Sequence, residues 1–586
     1  MSIPVIDVFA GPGGLGEGFS SLMDENGDPV FDITLSIEMD EKACQTLLLR
    51  TFFRQFKHEN VPEEYYEFIR LSGYVDVYKL REMLEKNKNK EGIAKFDKAD
   101  QIAKQAQLGK VDEKKLDSWI EKALEDKNGN KKESWLLVGG PPCQAYSVVG
   151  RSRRGGISED DERVYLYREY YRILAKHNPP IFVMENVKGL LSAEVKESPM
   201  FEQILRDIKD PASAYSKLNG EEVDTIDCPG YHIYSFVREE REDQEELFET
   251  DGPNFKHTDF VIKSEKYGIP QSRHRVILLG IRKDFELKPT ILDKQKKLTV
   301  SDVLQDIPEI RSSLSKKKDS TRNWSNEILR LKENIKLEKG SSKPDLFLRR
   351  DKYPSPSRKA IRPWLKRAYK LKVYFVLDSI TNKEVLERMN TALEIIKTNP
   401  PEIKGAEYIH EKCDIGTDVK ELREWYLDQR IAGICNHTAR GHMSSDLHRY
   451  LFVSSFGEIE GRSPKLEDFP LELLPNHASA SSGVSNSTFA DRFRVQLWND
   501  QAKTITSHIS KDGHYYIHPD PDQCRSLTVR EAARLQTFPD NYFFCGPRTS
   551  QYIQVGNAVP PLIAKKIAGI VNILFKKISN QTHIPK

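Results

Sequence analysis

The chain of 586 residues is too long for one ordinary domain, since domains average about 150 residues. Hydrophobic residues make up 38% and charged residues 30%, so the composition excludes a disordered chain, and the net charge of +2 indicates no class of partner. The sequence shows no apolar run of about 18 residues and no secretory start, which predicts a soluble intracellular protein. Seven scattered cysteines without a CxxC pair argue against a disulfide framework and a zinc ribbon.

The first half of the chain alternates between predicted strands and helices. A strand is predicted at residues 3–10 (IPVIDVFA), which end in glycines, and a second at 33–38. The stretch from 54 to 133 is rich in lysine and glutamate, and its spacing predicts a charged helical insertion. Strands separated by helices predict an α/β fold with a doubly wound, mostly parallel sheet. Three further strands are predicted, at residues 135–138, 181–184 and 276–281.

The middle of the chain has a different charge pattern. Residues 283–372 contain 25 lysines and arginines against 12 acidic residues, a local surplus that is typical either of a surface that binds phosphates or of a solvated helical region. Helical pattern returns at 527–536 and 562–577. We therefore predict a catalytic domain formed by residues 1–283 and 500–586, with a second domain, 284–499, inserted in it.

A glycine pattern follows the first predicted strand. Gly11, Gly13 and Gly16 satisfy GxGxxG, and Glu38 ends the next strand, where a carboxylate can hold ribose hydroxyls. Nicotinamide, flavin and S-adenosylmethionine sites all fit this pattern, as does a glycine turn without a ligand. Asp7 either caps the next helix or binds a cationic amino acid.

Reactive side chains follow other predicted strands. Cys143 in GGPPCQAYS and Glu185 in MENVKGLL both lie at carboxyl strand ends, where α/β proteins bind ligands. A free cysteine is more often a small buried hydrophobic residue than a nucleophile, and Glu185 could cap a helix instead of acting as an acid. Arg273 and Arg275 are two residues apart next to a predicted strand, so we expect their side chains to lie on the same face. The pair could bind a carbonyl or phosphate group, or it could form salt bridges at the surface.

Six motifs occur together in one order along the chain. They are DVFAGPGGLGEGF, GGPPCQAYSVVGR, ENVKGLL, QSRHR, LTVREAARLQTFPD and QVGNAVPP. In this order the sequence resembles the cytosine-5 DNA methyltransferases of bacterial restriction–modification systems. The resemblance covers both ends of the chain and leaves the early insertion and most of the middle uncovered. It implies S-adenosylmethionine as the cofactor and double-stranded DNA, from which the target cytosine is flipped out, as the substrate.

The resemblance also implies roles for the catalytic residues. The Cys143 thiolate would attack ring carbon 6 of the flipped cytosine, and Glu185 would hydrogen-bond ring nitrogen 3. Arg275 would hold the carbonyl oxygen of the cytosine, and Arg273 would support the loop.

Further residues are implied for the cofactor. Phe9, Gly11 and Gly13 would line its methionine end, Glu38 would bind its ribose, and Asn557 would close the same pocket.

Two cofactor contacts are less well defined by the motifs. Met39 follows the ribose-binding acid, where the family can have an aromatic residue, so packing against the adenine is open. The interval from Glu38 to Cys143 is longer than compact members need. Asp76 is our candidate for the adenine amino group, with Asp97 or no equivalent as alternatives.

The remaining implied contacts concern DNA. Gln144 and Ser147 lie where the family's mobile loop contacts backbone phosphates, and Thr504 resembles a threonine that contacts the phosphate of the flipped nucleotide. The histidine-rich segment 435–450 matches no familiar zinc finger, so we expect contacts that support the fold and no metal.

We predict a cytoplasmic, monomeric DNA methyltransferase without a membrane partner, which protects DNA from a cognate restriction endonuclease or acts alone. Three alternatives are an RNA cytosine-5 methyltransferase, a catalytically silent DNA-binding regulator and a nicotinamide oxidoreductase. The long middle region favours DNA over transfer RNA, because the relatives that act on transfer RNA are more compact.

Overall fold

The protein divides into two compact units, residues 1–298 with 533–586 and residues 299–532. The first boundary lies close to the predicted one, whereas residues 500–532, which we assigned to the catalytic domain from sequence, belong to the second unit. The computed structural model describes residues 2–71, 73–126, 128–142, 166–195, 198–220, 226–239, 255–332, 377, 380–411, 420–474 and 492–582.

The first unit is built on a sheet of eight strands among its described residues. Its strands are β1 Ile3–Val8, β2 Phe31–Glu38, β3 Ala103–Gln105, β4 Leu136–Gly139, β5 Ile181–Val187, β6 Tyr231–Tyr234, β7 Val261–Lys263 and β8 His274–Arg282. The neighbouring strands β3, β2, β1, β4 and β5 run parallel in this order, and β8 pairs antiparallel with β5, β6 and β7. The predicted doubly wound, mostly parallel sheet is thereby confirmed.

Helices cover both faces of this sheet, as the alternation of strand and helix in the sequence predicts. The helices that precede residue 298 in the first unit are α1 Gly14–Ser20, α2 Glu41–Arg54, α3 Glu63–Ile69, α4 Tyr78–Lys86, α5 Lys90–Ile102, α6 Glu113–Leu124, α7 Tyr167–His177, α8 Met200–Lys209 and α9 Pro211–Asn219. Leu15 and Phe19 of α1 pack on one face of the sheet, and the apolar sides of α6, α7 and α8 pack on the other.

The stretch predicted as a charged insertion, residues 54–133, contributes to the core of the fold. Within it, β3 pairs with β2 in parallel, so that Gln105 lies opposite Glu38. Leu116, Ile120 and Leu124 of α6 are buried in the core cluster below the sheet. The high charge of this stretch lies on the solvent sides of amphipathic helices, and it conceals a strand and a crossover helix of the α/β core.

The second unit has a mainly helical core. Trp324, Met389 and Leu451, from three different helices, are each fully buried in one cluster. Its α-helices and strands up to residue 460 are α10 Ser301–Leu304, β9 Ser313–Leu314, α11 Thr321–Leu329, α12 Lys383–Thr398, β10 Gly405–Ile409, α13 Lys420–Tyr426, β11 Ile434–Thr438, β12 Gly441–His442 and α14 Ser444–Glu460. Strand β10 pairs antiparallel with β11, and β9 pairs in parallel with β12.

The chain ends in helices α15 Val529–Leu535, α16 Arg548–Asn557 and α17 Pro561–Thr582. By length and composition alone, the helical stretch 548–581 is apolar enough to cross a membrane, contrary to the expectation from sequence. Its most apolar window is 67% buried inside the protein, and Ile567, Val571 and Phe575 pack in the core cluster beside α1. These contacts are those of a core helix.

Candidate active site

The glycine loop and Glu38 meet at the carboxyl ends of β1 and β2. The backbone N–H of Gly11 donates a hydrogen bond to Oε2 of Glu38 at 2.8 Å, and the N–H of Asp40 donates to Oε1 at 2.8 Å. An added Cβ at Gly11 would meet nothing within 4 Å, so the space over the loop is open there. At Gly13, where φ is +93°, a Cβ would lie 2.7 Å from Leu47. The loop thus requires glycine at this position.

Asp7 lies below this loop, on β1. Its side chain is 1% exposed, and the groups that oppose the cost of burying its charge are the Arg54 guanidinium and the backbone N–H of Gly16. Burial raises the pKa of Asp7 to about 7, although the positive charge of Arg54 opposes the shift. Asp7 therefore binds a proton more tightly in the folded chain than in the unfolded chain.

We expect stability to fall with rising pH because of Asp7. A raised pKa in the folded state contributes stability below the unfolded value of 3.8, and this contribution is lost as the pH rises to about 7. Between pH 5 and 8, the free energy of unfolding of the wild type should fall by roughly 2–3 kcal/mol more than that of Asp7→Asn. Denaturant titrations at both pH values measure this difference. The exposed Asp32→Asn is the control, and an equal pH dependence in wild type and Asp7→Asn would exclude the account.

Glu185 and Arg275 form an ion pair at the same edge of the sheet. They lie on the antiparallel neighbours β5 and β8, and Nε of Arg275 is 2.8 Å from Oε1 of Glu185. Both side chains are largely buried. Burial raises the pKa of Glu185, while the charges of Arg275 and Arg273 oppose the rise. A carboxyl group with a raised pKa is suited to hydrogen-bond a ring nitrogen that is gaining a proton.

The loop that leads from β4 to Cys143 is built against Glu185. An added Cβ at Gly140 would lie 2.7 Å from Oε2 of Glu185, and the Asn186 side chain donates a hydrogen bond to the carbonyl oxygen of Pro141 at 3.3 Å. Sequence reasoning did not single out Gly140 or Asn186, although both lie inside quoted motifs. The two contacts bring the start of the PPC motif beside the Glu185 carboxylate.

We expect Gly140→Ala to lower methyl transfer at saturating cofactor by about tenfold or more. The added methyl group has to displace the Glu185 carboxylate from Arg275, and displacements of about 1 Å at reacting groups can cost about 100-fold in rate. Gly569→Ala in α17 is the matched control, because a Cβ there meets nothing within 4 Å. Initial rates for the two variants decide the matter: equal rates would show that the space over Gly140 is not needed.

Arg273 has partners different from those of Arg275. It is fully buried, and its Nη2 donates hydrogen bonds to the carbonyl oxygens of Gly556 at 3.1 Å and Asn557 at 3.5 Å. Both arginines act on the pKa of Glu185, so both are close to it. Arg273 nevertheless fixes the backbone of the QVGN motif at the end of α16, while the side chain of Asn557 is exposed.

The other residues that we predicted to contact the cofactor differ in their surroundings. Phe9 has a φ of +55°, and Met39 is 57% exposed. Asp76 precedes α4 and accepts a hydrogen bond from the Gln45 side chain at 2.9 Å, while Asp97, the alternative, pairs with Arg81.

Strand β3, which pairs with the strand that carries Glu38, ends at residue 105 and contains neither Asp76 nor Asp97. Directly after it, the backbone N–H of Ala106 donates a hydrogen bond to the carbonyl oxygen of Glu38 at 2.9 Å. The end of β3 is thus the structural neighbour of Glu38, and sequence reasoning missed it because AKQ carries no strand signal.

In the second unit, the histidine-rich segment 435–450 makes polar contacts with its surroundings. His437 bonds the hydroxyl of Thr528 at 2.9 Å and the carbonyl of Pro308 at 3.1 Å, and His448 bonds the carbonyl of Glu327 at 2.6 Å. No group of three metal-ligating side chains occurs among the residues that the structure describes.

Thr504, a predicted DNA contact, also lies in the second unit. Its backbone carbonyl accepts a hydrogen bond from the Tyr516 hydroxyl at 3.3 Å. The predicted nucleophile Cys143 and the predicted DNA contacts Gln144 and Ser147 lie outside the described residues, as does much of the basic stretch 283–372.

Comparison with known proteins identifies the family. The model of the C-5 cytosine-specific DNA methylases matches residues 86–212 and 246–572, which is more than half of the chain. The type II methyltransferase M.Bpa9945I of Bacillus paralicheniformis is 29% identical over 599 residues, covering 99% of this chain and 100% of that protein. M.AgeI of Thalassovita gelatinovora is 23% identical over 75% of this chain and 82% of its own length. The DNA (cytosine-5-)-methyltransferase M.ApeKI of Aeropyrum pernix is 25% identical over 74% of this chain and 80% of its own length. The chain belongs to the family of C-5 cytosine-specific DNA methylases and is a DNA (cytosine-5-)-methyltransferase of the bacterial restriction–modification type.

Proposed function

We propose that this methyltransferase uses S-adenosylmethionine to methylate carbon 5 of a flipped cytosine within a specific DNA sequence, through a covalent adduct with Cys143. The observation that supports this most is the buried Glu185–Arg275 pair, 2.8 Å apart, beside the loop that leads to Cys143. The pair presents a carboxyl group and a guanidinium together. These groups suit the ring nitrogen and the adjacent carbonyl oxygen of one cytosine.

The glycine loop and Glu38 fit S-adenosylmethionine as cofactor. Gly11 leaves open space above the backbone, and the Glu38 carboxylate is fixed at the strand end by two N–H groups, with lone pairs remaining for ribose hydroxyls. We assign Phe9, Gly11, Gly13 and Glu38 to this site, with Asn557 at its edge. When bound, S-adenosylmethionine supplies an electrophilic methyl group.

The protein's own groups carry the remaining steps. A cytosine inside the duplex stack hides its carbon 6, so the base has to leave the helix first. The sulfur of Cys143 forms a bond to carbon 6, and the electron pair of the 5,6 double bond moves toward carbon 5. Glu185 hydrogen-bonds nitrogen 3, and Arg275 hydrogen-bonds the carbonyl oxygen, which stabilises the charge that builds on the ring. After carbon 5 is methylated, a solvent water molecule takes its proton, the electron pair of that C–H bond re-forms the 5,6 double bond, and the Cys143 thiolate leaves with the electron pair of the C–S bond.

The second unit, residues 299–532, would supply sequence recognition, with Thr504 at a phosphate. Lysines and arginines in this region would bind phosphates, and a few side chains would contact base edges. We propose that the protein acts as a monomer in the cytoplasm and that methylation protects DNA from a cognate endonuclease, which the type II methyltransferases among its relatives suggest.

Methyl transfer with labelled S-adenosylmethionine tests this function. Mixed-sequence plasmid DNA and transfer RNA are offered in parallel, and base-resolved sequencing then locates 5-methylcytosine. We expect label in DNA at one short sequence motif and none in RNA. Label in transfer RNA alone would favour the RNA methyltransferase, and no label in either would favour the silent DNA-binding protein.

A further inference from the structure

The glycine loop is fixed from below by a segment distant in sequence. The Tyr542 hydroxyl donates a hydrogen bond to the carbonyl oxygen of Pro12, which lies between Gly11 and Gly13. Tyr542 is fully buried, and burial raises its pKa, so the hydroxyl keeps its proton and remains a donor.

The geometry of Gly13 shows how closely the two segments pack. A Cβ added at Gly13 would lie 3.0 Å from the Tyr542 hydroxyl oxygen and 2.7 Å from Cδ2 of Leu47. The loop backbone therefore rests directly on the tyrosine oxygen, without a side chain between them.

A second set of contacts holds the helix that follows the loop. Glu17 of α1 accepts hydrogen bonds from Nε of Arg50 at 2.8 Å and from Nη2 of Arg54 at 2.8 Å. Arg50 also donates to the side chain of Asn541 at 2.9 Å, and its guanidinium lies 5.0 Å from the ring centre of Tyr542. The adjacent residues Asn541 and Tyr542 thus support two neighbouring segments. Tyr542 contacts the glycine loop directly, and Asn541 contacts Arg50, which binds Glu17 in the helix that follows the loop.

We infer that Tyr542 is a positioning residue for cofactor binding: its hydroxyl holds the carbonyl of Pro12 and so keeps the Gly11–Gly13 backbone in the shape that receives S-adenosylmethionine. The inference rests on the proposed function of the loop. A hydrogen bond that fixes a binding loop before the ligand arrives reduces the ordering that binding requires, so its loss weakens affinity and leaves the chemical step intact.

Tyr542→Phe and Tyr231→Phe form a matched pair for the test. Tyr231 is also fully buried, and its hydroxyl donates at 3.0 Å to the backbone carbonyl of Pro179, which precedes β5 and is not part of the loop or its supports. Each variant loses one hydroxyl oxygen and the hydrogen bond that it donates to a backbone carbonyl. Thermal unfolding should change by similar amounts in both and shows that each variant is folded.

The measurements are calorimetric binding of S-adenosylmethionine, turnover at saturating cofactor and deuterium exchange of the backbone amides at residues 11–17. We expect Tyr542→Phe to weaken binding about fivefold or more, with turnover nearly unchanged, and to accelerate exchange in the loop. Tyr231→Phe should do neither. Equal binding and exchange in the two variants would overturn the inference. Failure of the wild type to bind the cofactor would overturn the proposed function instead, and the exchange comparison would still test the role of Tyr542.

Discussion

Replacing Glu185 by glutamine should lower the rate of methyl transfer about 100-fold or more while leaving cofactor affinity unchanged. The glutamine keeps the size of the side chain, but it cannot form an ion pair with Arg275, which lies 2.8 Å from the carboxylate in the wild type. It also has no acidic proton to donate to ring nitrogen 3. Acid catalysis by a positioned side chain contributes about 10²–10⁴ in rate.

The pH profile gives this prediction a second readout. Because the pKa of Glu185 is raised, the acid form persists above the usual range of a carboxyl group, and activity should fall when the pH rises through that pKa. In Glu185→Gln this limb should be absent, since the amide does not titrate.

Glu265→Gln is the matched control for the glutamate. Glu265 is a partly buried glutamate whose carboxylate lies 2.9 Å from the ring of His274, the histidine of the QSRHR motif. It has no role in the proposed chemistry. Unchanged turnover in Glu185→Gln, or an equal loss in Glu265→Gln, would contradict the role assigned to Glu185.

Replacing Cys143 by serine should reduce methyl transfer by at least about 1,000-fold. A serine hydroxyl lacks the nucleophilicity of a thiolate toward ring carbon 6, and without the adduct carbon 5 is not activated. Cofactor and DNA affinities should stay within about threefold of wild type, because the substitution exchanges one atom.

The control for the nucleophile is Cys228→Ser, which removes a partly buried cysteine whose Sγ lies 3.7 Å from the carbonyl of Leu174. Rates are measured under single-turnover conditions, so that product release does not hide the chemical step. Retained methyl transfer in Cys143→Ser would show that another residue, or no covalent step, supports the reaction.

The sequence predicted the parts of the fold that depend on local pattern. The strands that carry Asp7, Glu38 and Glu185, and the part of β8 from residue 276 onward, are largely apolar runs at the expected positions, because strands buried on both faces are mostly hydrophobic. Strand β3 escaped prediction, since its three residues include a lysine and a glutamine and it is defined only by pairing with β2. Asp76, our candidate for the adenine contact, precedes a helix, and its role stays a prediction.

The supports of the site could not be predicted, because they join residues far apart in the chain. Tyr542 meets Pro12, Arg50 meets Asn541, and Arg273 meets the carbonyl of Gly556. No spacing rule connects such pairs, and only the folded backbone brings them together. The alternation of Arg273 and Arg275 likewise gave no sign that one holds Glu185 and the other a backbone turn.

The most direct test of the account is the mass of the peptide that contains Cys143 after reaction with DNA whose target cytosine carries fluorine at carbon 5. Fluorine cannot leave as a proton does, so the adduct should persist once the methyl group has been transferred. We expect the Cys143 peptide of the wild type to carry the methylated fluorocytosine nucleotide, and no adduct to form in Cys143→Ser. An adduct on another residue, or methyl transfer to unmodified DNA by a wild type that forms no adduct, would contradict covalent catalysis by Cys143.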